Sequence, residues 1–193
     1  LIKSAFISKL IPSKKTLGFD KNSIREKAAS FFYDNSFNIK YDENIVNRNV
    51  KLIKFALDFP FHIDEINMKL PFLFSSHKYT IQNLSNIKKN ILLIPGASNN
   101  SKRYPAQSFA RITHLIDANY FILWGNTEEE FIAKEIKKFA PEVNICSKLS
   151  IAKLVFLISQ VDLVIGSDTG PTHFAWALNI PSITLFGSTP GYR

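Results

Sequence analysis

Residues 163–178 read LVIGSDTGPTHFAWAL and indicate the type of fold. Leu163-Val164-Ile165 is a short apolar run typical of a buried strand, and residues 171–178 begin with proline, which the first turn of a helix accepts. The polar stretch between them places backbone N–H groups, a hydroxyl and the positive end of a helix dipole where the strand ends. An anion such as a diphosphate can bind there.

The same alternation of strand and helix extends over the second half of the chain, from about residue 91. It predicts strands at 91–94, 120–124, 143–145, 163–165 and 182–186, and helices at 105–118, 127–139, 150–159 and 171–178, with Thr127 and Ser150 as caps. Strict alternation indicates an α/β fold with a parallel sheet covered by helices on both faces. Ligands of such sheets bind outside the carboxyl ends of the strands.

The first half of the chain has fewer strand signals and longer irregular stretches. Helical spacing occurs at 1–11, 22–33 and 42–57, the last with Ile45, Leu52, Ile53 and Ala56 on one face, and a strand is predicted at 15–19. We therefore predict a partial N-terminal domain at 1–60, a linker region at 61–90 and a second domain at 91–193. Neither end of the chain carries a helix cap or a closing helix, so we expect a fragment of a longer protein.

Composition narrows the class of protein. Of the 193 residues, 46% are hydrophobic and 21% are charged, which permits a packed core and excludes a disordered chain. The net charge of +8 suits a nucleotide, a nucleic acid or an anionic membrane, although scattered lysines also fit an ordinary soluble protein. Cys146 is the single cysteine, which excludes an internal disulfide and favours a cytoplasmic setting.

Four candidate ligand-binding residues follow the strand at 163–165. Thr169 can donate a hydrogen bond to a phosphate oxygen, Gly170 allows close approach of a ligand to the backbone, and His173 can reach the same anion. Asp168 is better suited by its charge to a sugar hydroxyl. The alternative is a plain helix cap, and the spacing alone leaves both interpretations open.

The loop at 95–105 also joins a strand to a helix, and it carries a second group of polar and charged residues. Ser98 offers a hydroxyl, and Lys102 and Arg103 offer cations that can neutralise the charge on a departing nucleotide. The glycine spacing of a Walker loop is missing. The alternative is a solvated basic loop.

A third loop follows the strand at 120–124, and there Glu128 or Glu129 can accept a hydrogen bond from a ribose hydroxyl. Acidic residues also stabilise the first turn of a helix without any ligand, so the alternative is strong for either residue taken singly. Three such loops at one edge of a sheet together predict a nucleotide-sugar pocket.

No metal or cofactor site is predicted, because His62, His77, His114 and His173 lack ligand spacing and Cys146 fits a buried small hydrophobe.

Two groups of motifs resemble those of a known family. The run from Ser167 to His173, with Ala175, Ala177-Leu178, Pro181 and the stretch from Leu185 to Thr189, resembles family 9 glycosyltransferases, the heptosyltransferases of lipopolysaccharide core synthesis. Pro95-Gly96-Ala97 and the stretch from Lys102 to Pro105 match the family's other nucleotide-side loop. The resemblance covers 91–193 well. More loosely, Gly18-Phe19 and 25–33 resemble the N-terminal domain of members that act on Kdo-lipid A.

The resemblance implies a GT-B fold of two Rossmann-like domains, here a fragment with a near-complete C-terminal sheet and a partial N-terminal domain. It implies inverting, metal-independent transfer of heptose from ADP-heptose to the Kdo of the lipid A inner core. On the donor side it assigns the leaving group to Lys102 as the catalytic residue, with Ser98, Glu128, Glu129, Asp168, Thr169, Gly170 and His173 as further ligands. On the acceptor side it assigns Lys3, Arg25 and Arg48.

The resemblance also sets the expected partners and the limits of this chain. We expect ADP-heptose, a Kdo-lipid A acceptor and peripheral contact with the anionic cytoplasmic face of the inner membrane. The family's carboxylate-bearing glycine-rich segment has no match here, so we name no general base and expect the fragment itself to be inactive. The alternatives are another family 9 enzyme that adds the second heptose, or a non-catalytic nucleotide-binding fragment. No recognition helix, RNA-binding aromatic pattern or zinc spacing supports a nucleic-acid binder.

Overall fold

The chain forms two compact units, made mainly by Leu1–Lys69 and by Leu70–Pro190. A computed structural model describes every residue except 59, 61, 67, 77, 98, 188–190, 192 and 193, with the backbone alone at 63 and 100. The boundary between the units falls inside the segment 61–90. Beyond it, Ile81 and Leu84 pack against the core of the second unit.

The first unit contains two helices and a two-stranded parallel sheet. Its elements are helix α1 (Ile2–Leu10), strands β1 (Leu17–Phe19) and β2 (Asn35–Phe37), helix α2 (Ile45–Leu57), and short 3-10 helices at Lys27–Phe32 and Ile63–Ile66. The core is small: Ala5, Ile24 and Ala29 are buried, and Phe19, Phe32 and Tyr33 pack against them.

Two helices of the first unit depart from the sequence prediction. No α-helix forms at 22–33, because the Asp20 carboxylate accepts hydrogen bonds from the N–H groups of Asn22 (3.1 Å) and Ser23 (2.9 Å) and holds a turn there. Helix α2 does form, but only part of its predicted apolar face is covered, with Leu52 and Ala56 half-buried. Ile45 and Ile53 are 47% and 53% exposed, whereas Arg48 is only 4% exposed.

The second unit is built on the parallel sheet that the alternating pattern predicts. Its strands are β3 (Asn90–Ile94), β4 (Asn119–Ile122), β5 (Asn144–Ile145), β6 (Leu163–Ser167) and β7 (Ser182–Leu185), in the order β5-β4-β3-β6-β7, and all neighbours are parallel. The helices are α3 (Ala106–Leu115), α4 (Thr127–Phe139), α5 (Ile151–Ile158) and α6 (Gly170–Ala177). Within the described part of the chain, no helix is long and apolar enough to cross a membrane.

Helices cover both faces of this sheet, so successive residues of a central strand enter different cores. Ile91 and Leu93 of β3 pack with Phe109 of α3 and Ile136 of α4. On the opposite face, the intervening residues of β3 pack with side chains of α5 and α6; the group includes Leu92, Ile94, Leu154, Leu157 and Ala175. The two layers fix the position of the strand ends and therefore of the loops that follow them.

The N-terminal caps of α4 and α5 set where these helices begin. Ser150 caps α5 as predicted, by accepting a hydrogen bond from the N–H of Lys153 (3.4 Å). The predicted cap of α4 at Thr127 is wrong by one residue, because the Asn126 side chain accepts from the N–H of Glu129 (3.0 Å) and Thr127 is already helical. This cap places Glu128 and Glu129 in the first turn of α4.

Candidate functional site

Four loops meet at the carboxyl edge of the sheet in the second unit, after β3, β4, β6 and β7. The loop after β3 is the central one, and it contains a short 3-10 helix, Asn100–Lys102. Lys102 reaches the loop after β6, and Arg103 reaches the start of α4. Loops at this edge form the ligand site in open α/β sheets.

Lys102, Asp168 and His173 form a cluster of polar side chains at the start of α6. The Lys102 Nζ lies 2.6 Å from Asp168 Oδ2, and the His173 Nε2 lies 3.3 Å from Asp168 Oδ1. The Asp168 side chain is only 14% exposed. The hydrogen bond from Lys102 holds the pKa of Asp168 below its usual value, so this carboxylate stays ionised at neutral pH. The structure thus brings together three predicted site residues from two separate loops.

The two candidate glutamates of α4 have different surroundings. Glu128 is 61% exposed at its side chain and accepts hydrogen bonds from Arg103 Nη1 and, at 2.9 Å, from Arg103 Nη2. Glu129 turns the other way and accepts from the N–H of Gly125 at 2.7 Å. The geometry therefore distinguishes two neighbours that the sequence could not separate.

Glu129 lines a cavity of about 100 Å³ between the loops after β3, β4 and β6. The polar edge of the cavity is formed by Glu129, Thr169 and the backbone at Gly96 and Gly125. Its apolar lining is Ile94, Leu123, Trp124, Leu149, Leu154 and Pro171. A carboxylate and a hydroxyl beside an apolar slot are suited to a ribose and a planar base.

Thr169 and Gly170 stand at the start of helix α6, and Thr169 lines the cavity. Thr169 is the N-cap residue, yet its side chain makes no capping hydrogen bond. The helix is held instead by Thr172, whose buried hydroxyl donates to the Ser167 carbonyl at 2.9 Å. Beside Gly170, no described atom other than those of its chain neighbours and of its own helix backbone lies within 4 Å of the position that a Cβ would take. The plain-cap interpretation of Thr169 is therefore not what the side chain shows.

Sequence reasoning missed two supports of the site. Gly187, after β7, lies so close to the backbone of Ser101 and Lys102 that a Cβ there would stand 3.2 Å from Lys102 Cα. Trp124 donates from its indole Nε1 to the Cys146 carbonyl at 2.6 Å, which fixes the wall that carries Leu149. Glycine after a final strand is a weak signal for the first support, and nothing in the sequence marks Leu149.

The remaining predictions for this unit concern a hydroxyl, a metal and a thiol. Ser98, predicted as a donor ligand, lies outside the described residues. Among the residues that the structure does describe, no three His, Cys, Asp or Glu side chains cluster as metal ligands would. Burial raises the pKa of the Cys146 thiol to about 12, which fits the prediction of a small hydrophobe rather than a nucleophile.

The three predicted acceptor-side residues belong to the first unit and have unlike surroundings. Lys3 is exposed on α1, and Arg25 is exposed at the rim of a cavity of about 600 Å³. Arg48 lines the same cavity but is buried, and its guanidinium donates to the carbonyls of Ser23 and Tyr41. These bonds give Arg48 a structural role in joining two loops, beside any role toward a ligand.

Comparison with known proteins places the whole chain in one family. Residues 1–193 match the profile of glycosyltransferase family 9 (heptosyltransferase). The chain is 38% identical to lipopolysaccharide heptosyltransferase 1 of Campylobacter coli, over 100% of this chain and 60% of that protein. It is 24% identical to the enzyme of the same name from Pseudomonas aeruginosa, over 100% of this chain and 54% of that protein.

A solved structure shares the fold. The E. coli heptosyltransferase WaaC with ADP-2-deoxy-2-fluoro heptose superposes with a TM-score of 0.75 at 22% identity, covering 100% of this chain and 61% of that one. This likeness confirms the predicted GT-B type of α/β fold. The chain spans less than two thirds of each of these three proteins. Because the family profile matches from the first residue to the last, the chain belongs to glycosyltransferase family 9, the heptosyltransferases.

Proposed function

We propose that this chain is the donor-binding part, with a portion of the acceptor side, of an enzyme that transfers heptose from ADP-heptose to the Kdo of the lipid A inner core. The observation that carries the proposal is the cluster of Lys102, Asp168 and His173 beside the cavity of Glu129 and Thr169. It lies in a chain that matches the heptosyltransferase family throughout. The Campylobacter coli relative is named a heptosyltransferase 1, and the E. coli structure holds an ADP-heptose analogue.

Each donor-side residue has a group suited to one part of ADP-heptose. The diphosphate would bind at the start of α6, to the N–H groups and hydroxyl of Thr169 and Gly170. Lys102 has three donors and shares one with Asp168, so it can also reach phosphate oxygens. Glu129 would accept from the ribose hydroxyls, and Asp168 and His173 would line the heptose.

In the transfer we propose, an acceptor hydroxyl oxygen attacks C1 of the heptose, and the bond from C1 to the β-phosphate oxygen breaks. The electron pair leaves with ADP, whose new negative charge is stabilised by Lys102 and by the dipole of α6. Both groups are in place before the reaction and need little reorganisation. The hydroxyl proton passes to a base, a role that we assign to no residue of this chain.

The acceptor would meet the first unit. Arg25 at the rim of the larger cavity and Lys3 on α1 carry the positive charge that a Kdo carboxylate or a lipid A phosphate would bind. Arg48 lines the same cavity and would add its positive charge from the wall; its buried Nε has no hydrogen-bond partner among the described residues.

Calorimetric titration of the chain with ADP, and with UDP as control, tests the donor site. We expect ADP to bind selectively, and Thr169→Ala to weaken ADP about tenfold, the lower end for loss of one hydrogen bond to a charged group such as phosphate. Lys102→Ala should weaken it as well. If the folded chain binds neither nucleotide, the donor-site assignment fails, and a preference for UDP would indicate a different donor.

We also propose that the first unit touches the anionic cytoplasmic face of the inner membrane, where a lipid-linked acceptor would lie. Helix α1 supports this, since it exposes Phe6 and Leu10 (50% and 66%) next to Lys3. Cosedimentation with vesicles should show stronger binding to anionic than to zwitterionic lipid, reduced severalfold by Leu10→Ser. Equal binding to both kinds of vesicle would contradict the proposal.

A further inference from the structure

We infer that Arg103 and Glu128 form a positioning pair that holds two walls of the donor cavity at their working distance. The inference rests on the proposed function, since it assigns to Arg103 a part in ADP binding. Neither residue lines the cavity, so Glu128, predicted from sequence as a direct ligand, would act through Arg103. The pair is therefore distinct from the residues that meet the ligand.

The Arg103 guanidinium makes two kinds of contact at once. Its Nη1 and Nη2 bind the two carboxylate oxygens of Glu128, the second at 2.9 Å, in the planar two-point geometry that arginine forms with a carboxylate. Its Nε and Nη2 also lie 3.4 Å from the Ala97 carbonyl oxygen. The Arg103 side chain is 17% exposed and the Glu128 side chain 61%, so the pair is partly exposed, and its two-point geometry rather than burial distinguishes it from a single surface contact.

Among the described residues, the hydrogen-bond partners of Arg103 are Ala97 and Glu128, each of which is next to a residue that lines the cavity. Ala97 follows Gly96, and Glu128 precedes Glu129. Gly96 and Glu129 both line the cavity and touch each other, since a Cβ on Gly96 would overlap the Glu129 carboxylate. Lys102, the proposed leaving-group residue, directly precedes Arg103. Arg103 thus connects the loop after β3 to the first turn of α4 at the level where ribose would bind. Loosening this connection would misplace the Glu129 carboxylate without removing it.

A double-mutant cycle on ADP binding tests this assignment. We expect Arg103→Gln to weaken ADP binding about fivefold, the upper end for a partly exposed ion pair, and Glu128→Gln to do the same. In a Glu129→Ala background, Arg103→Gln should change the ADP affinity less than about twofold, because the carboxylate that it positions is gone. The matched controls are Arg111→Gln, at an exposed position of α3, and Glu130→Gln, at a half-buried position of α4 where the carboxylate pairs with Lys134; both should leave the affinity unchanged.

Three outcomes would overturn the inference. Equal weakening by Arg103→Gln in both backgrounds would mean that Arg103 contacts ADP itself. If Arg103→Gln alone does not weaken ADP binding, the pair is only a surface ion pair without a part in the site. If Arg103→Gln lowers the urea unfolding midpoint to an extent that accounts for the loss of ADP binding, Arg103 contributes only to general stability. Failure of the folded wild-type chain to bind ADP would instead remove the proposed function and this inference together, and the wild-type titration shows which case holds.

Discussion

Gly96→Ala is expected to weaken ADP binding by about 10- to 100-fold while the chain remains folded. A Cβ on Gly96 would overlap the Glu129 carboxylate and stand 2.9 Å from its Cγ. All the obstructing atoms belong to the end of a flexible side chain, so the carboxylate should rotate away and spare the backbone. A lost hydrogen bond to a charged group costs about 1.5–3 kcal/mol, which corresponds to that range of affinity.

Glu129→Ala is the control, because it removes the same carboxylate by another route. If both changes act through Glu129, the variant that carries both should bind ADP no more weakly than Glu129→Ala alone. Calorimetric titration of the three variants gives the comparison, and urea denaturation checks that they are folded. If the affinity losses of the two single changes multiply in the double variant, Glu129 does not bind the ribose. The same conclusion follows if Gly96→Ala binds ADP as tightly as the wild type.

The sheet of the second unit could be predicted from sequence because local and global signals agree there. The four apolar residues Ile91-Leu92-Leu93-Ile94 face two cores at once, so an unbroken apolar run is what a central parallel strand requires. The cap at Ser150 and the proline at the start of α6 mark helix starts by chemistry that does not depend on the rest of the fold.

The identity of the site residues was harder to predict than its location. The loops after the strands had to converge at one edge, so Lys102 and Asp168 could be expected near each other. The choice between Glu128 and Glu129 depends on where Arg103 lies, 25 residues earlier in the chain, and on a one-residue shift of the α4 cap. The spacing of residues along the sequence indicates neither the position of Arg103 nor the shift of the cap.

The first unit shows how side-chain chemistry can override helical spacing. At 22–33 the apolar residues recur as in a helix, but Asp20 captures the backbone N–H groups that would begin it. In α2 the buried position is taken by Arg48, which lies over the Phe19 ring at 4.8 Å and bonds two loop carbonyls. A hydrophobic pattern cannot predict that an arginine occupies the core.

Gly166→Ala is expected to lower the free energy of unfolding by about 2–5 kcal/mol, the sum of overpacking and of a lost buried hydrogen bond. Gly166 sits opposite Ile94 where β3 and β6 pair. A Cβ on it would stand 2.5 Å from Thr172 Oγ1 and 2.8 Å from Ile94 Cβ. The second atom is fixed to the central strand and cannot turn aside, so the strands or the start of α6 must move. Urea denaturation measures the change.

Gly170→Ala, four residues later in the same motif, should behave in the opposite way. Gly170 is exposed, no described glycine has a positive φ, and no described residue outside its own helix and chain neighbours occupies the space that its Cβ would fill. Its stability should therefore stay within about 0.5 kcal/mol of the wild type. That empty space is where the diphosphate is proposed to meet α6, so ADP affinity should fall although the fold is intact. Equal loss of stability in both variants would mean that the motif serves packing alone, whereas unchanged ADP affinity in a stable Gly170→Ala would place the diphosphate elsewhere.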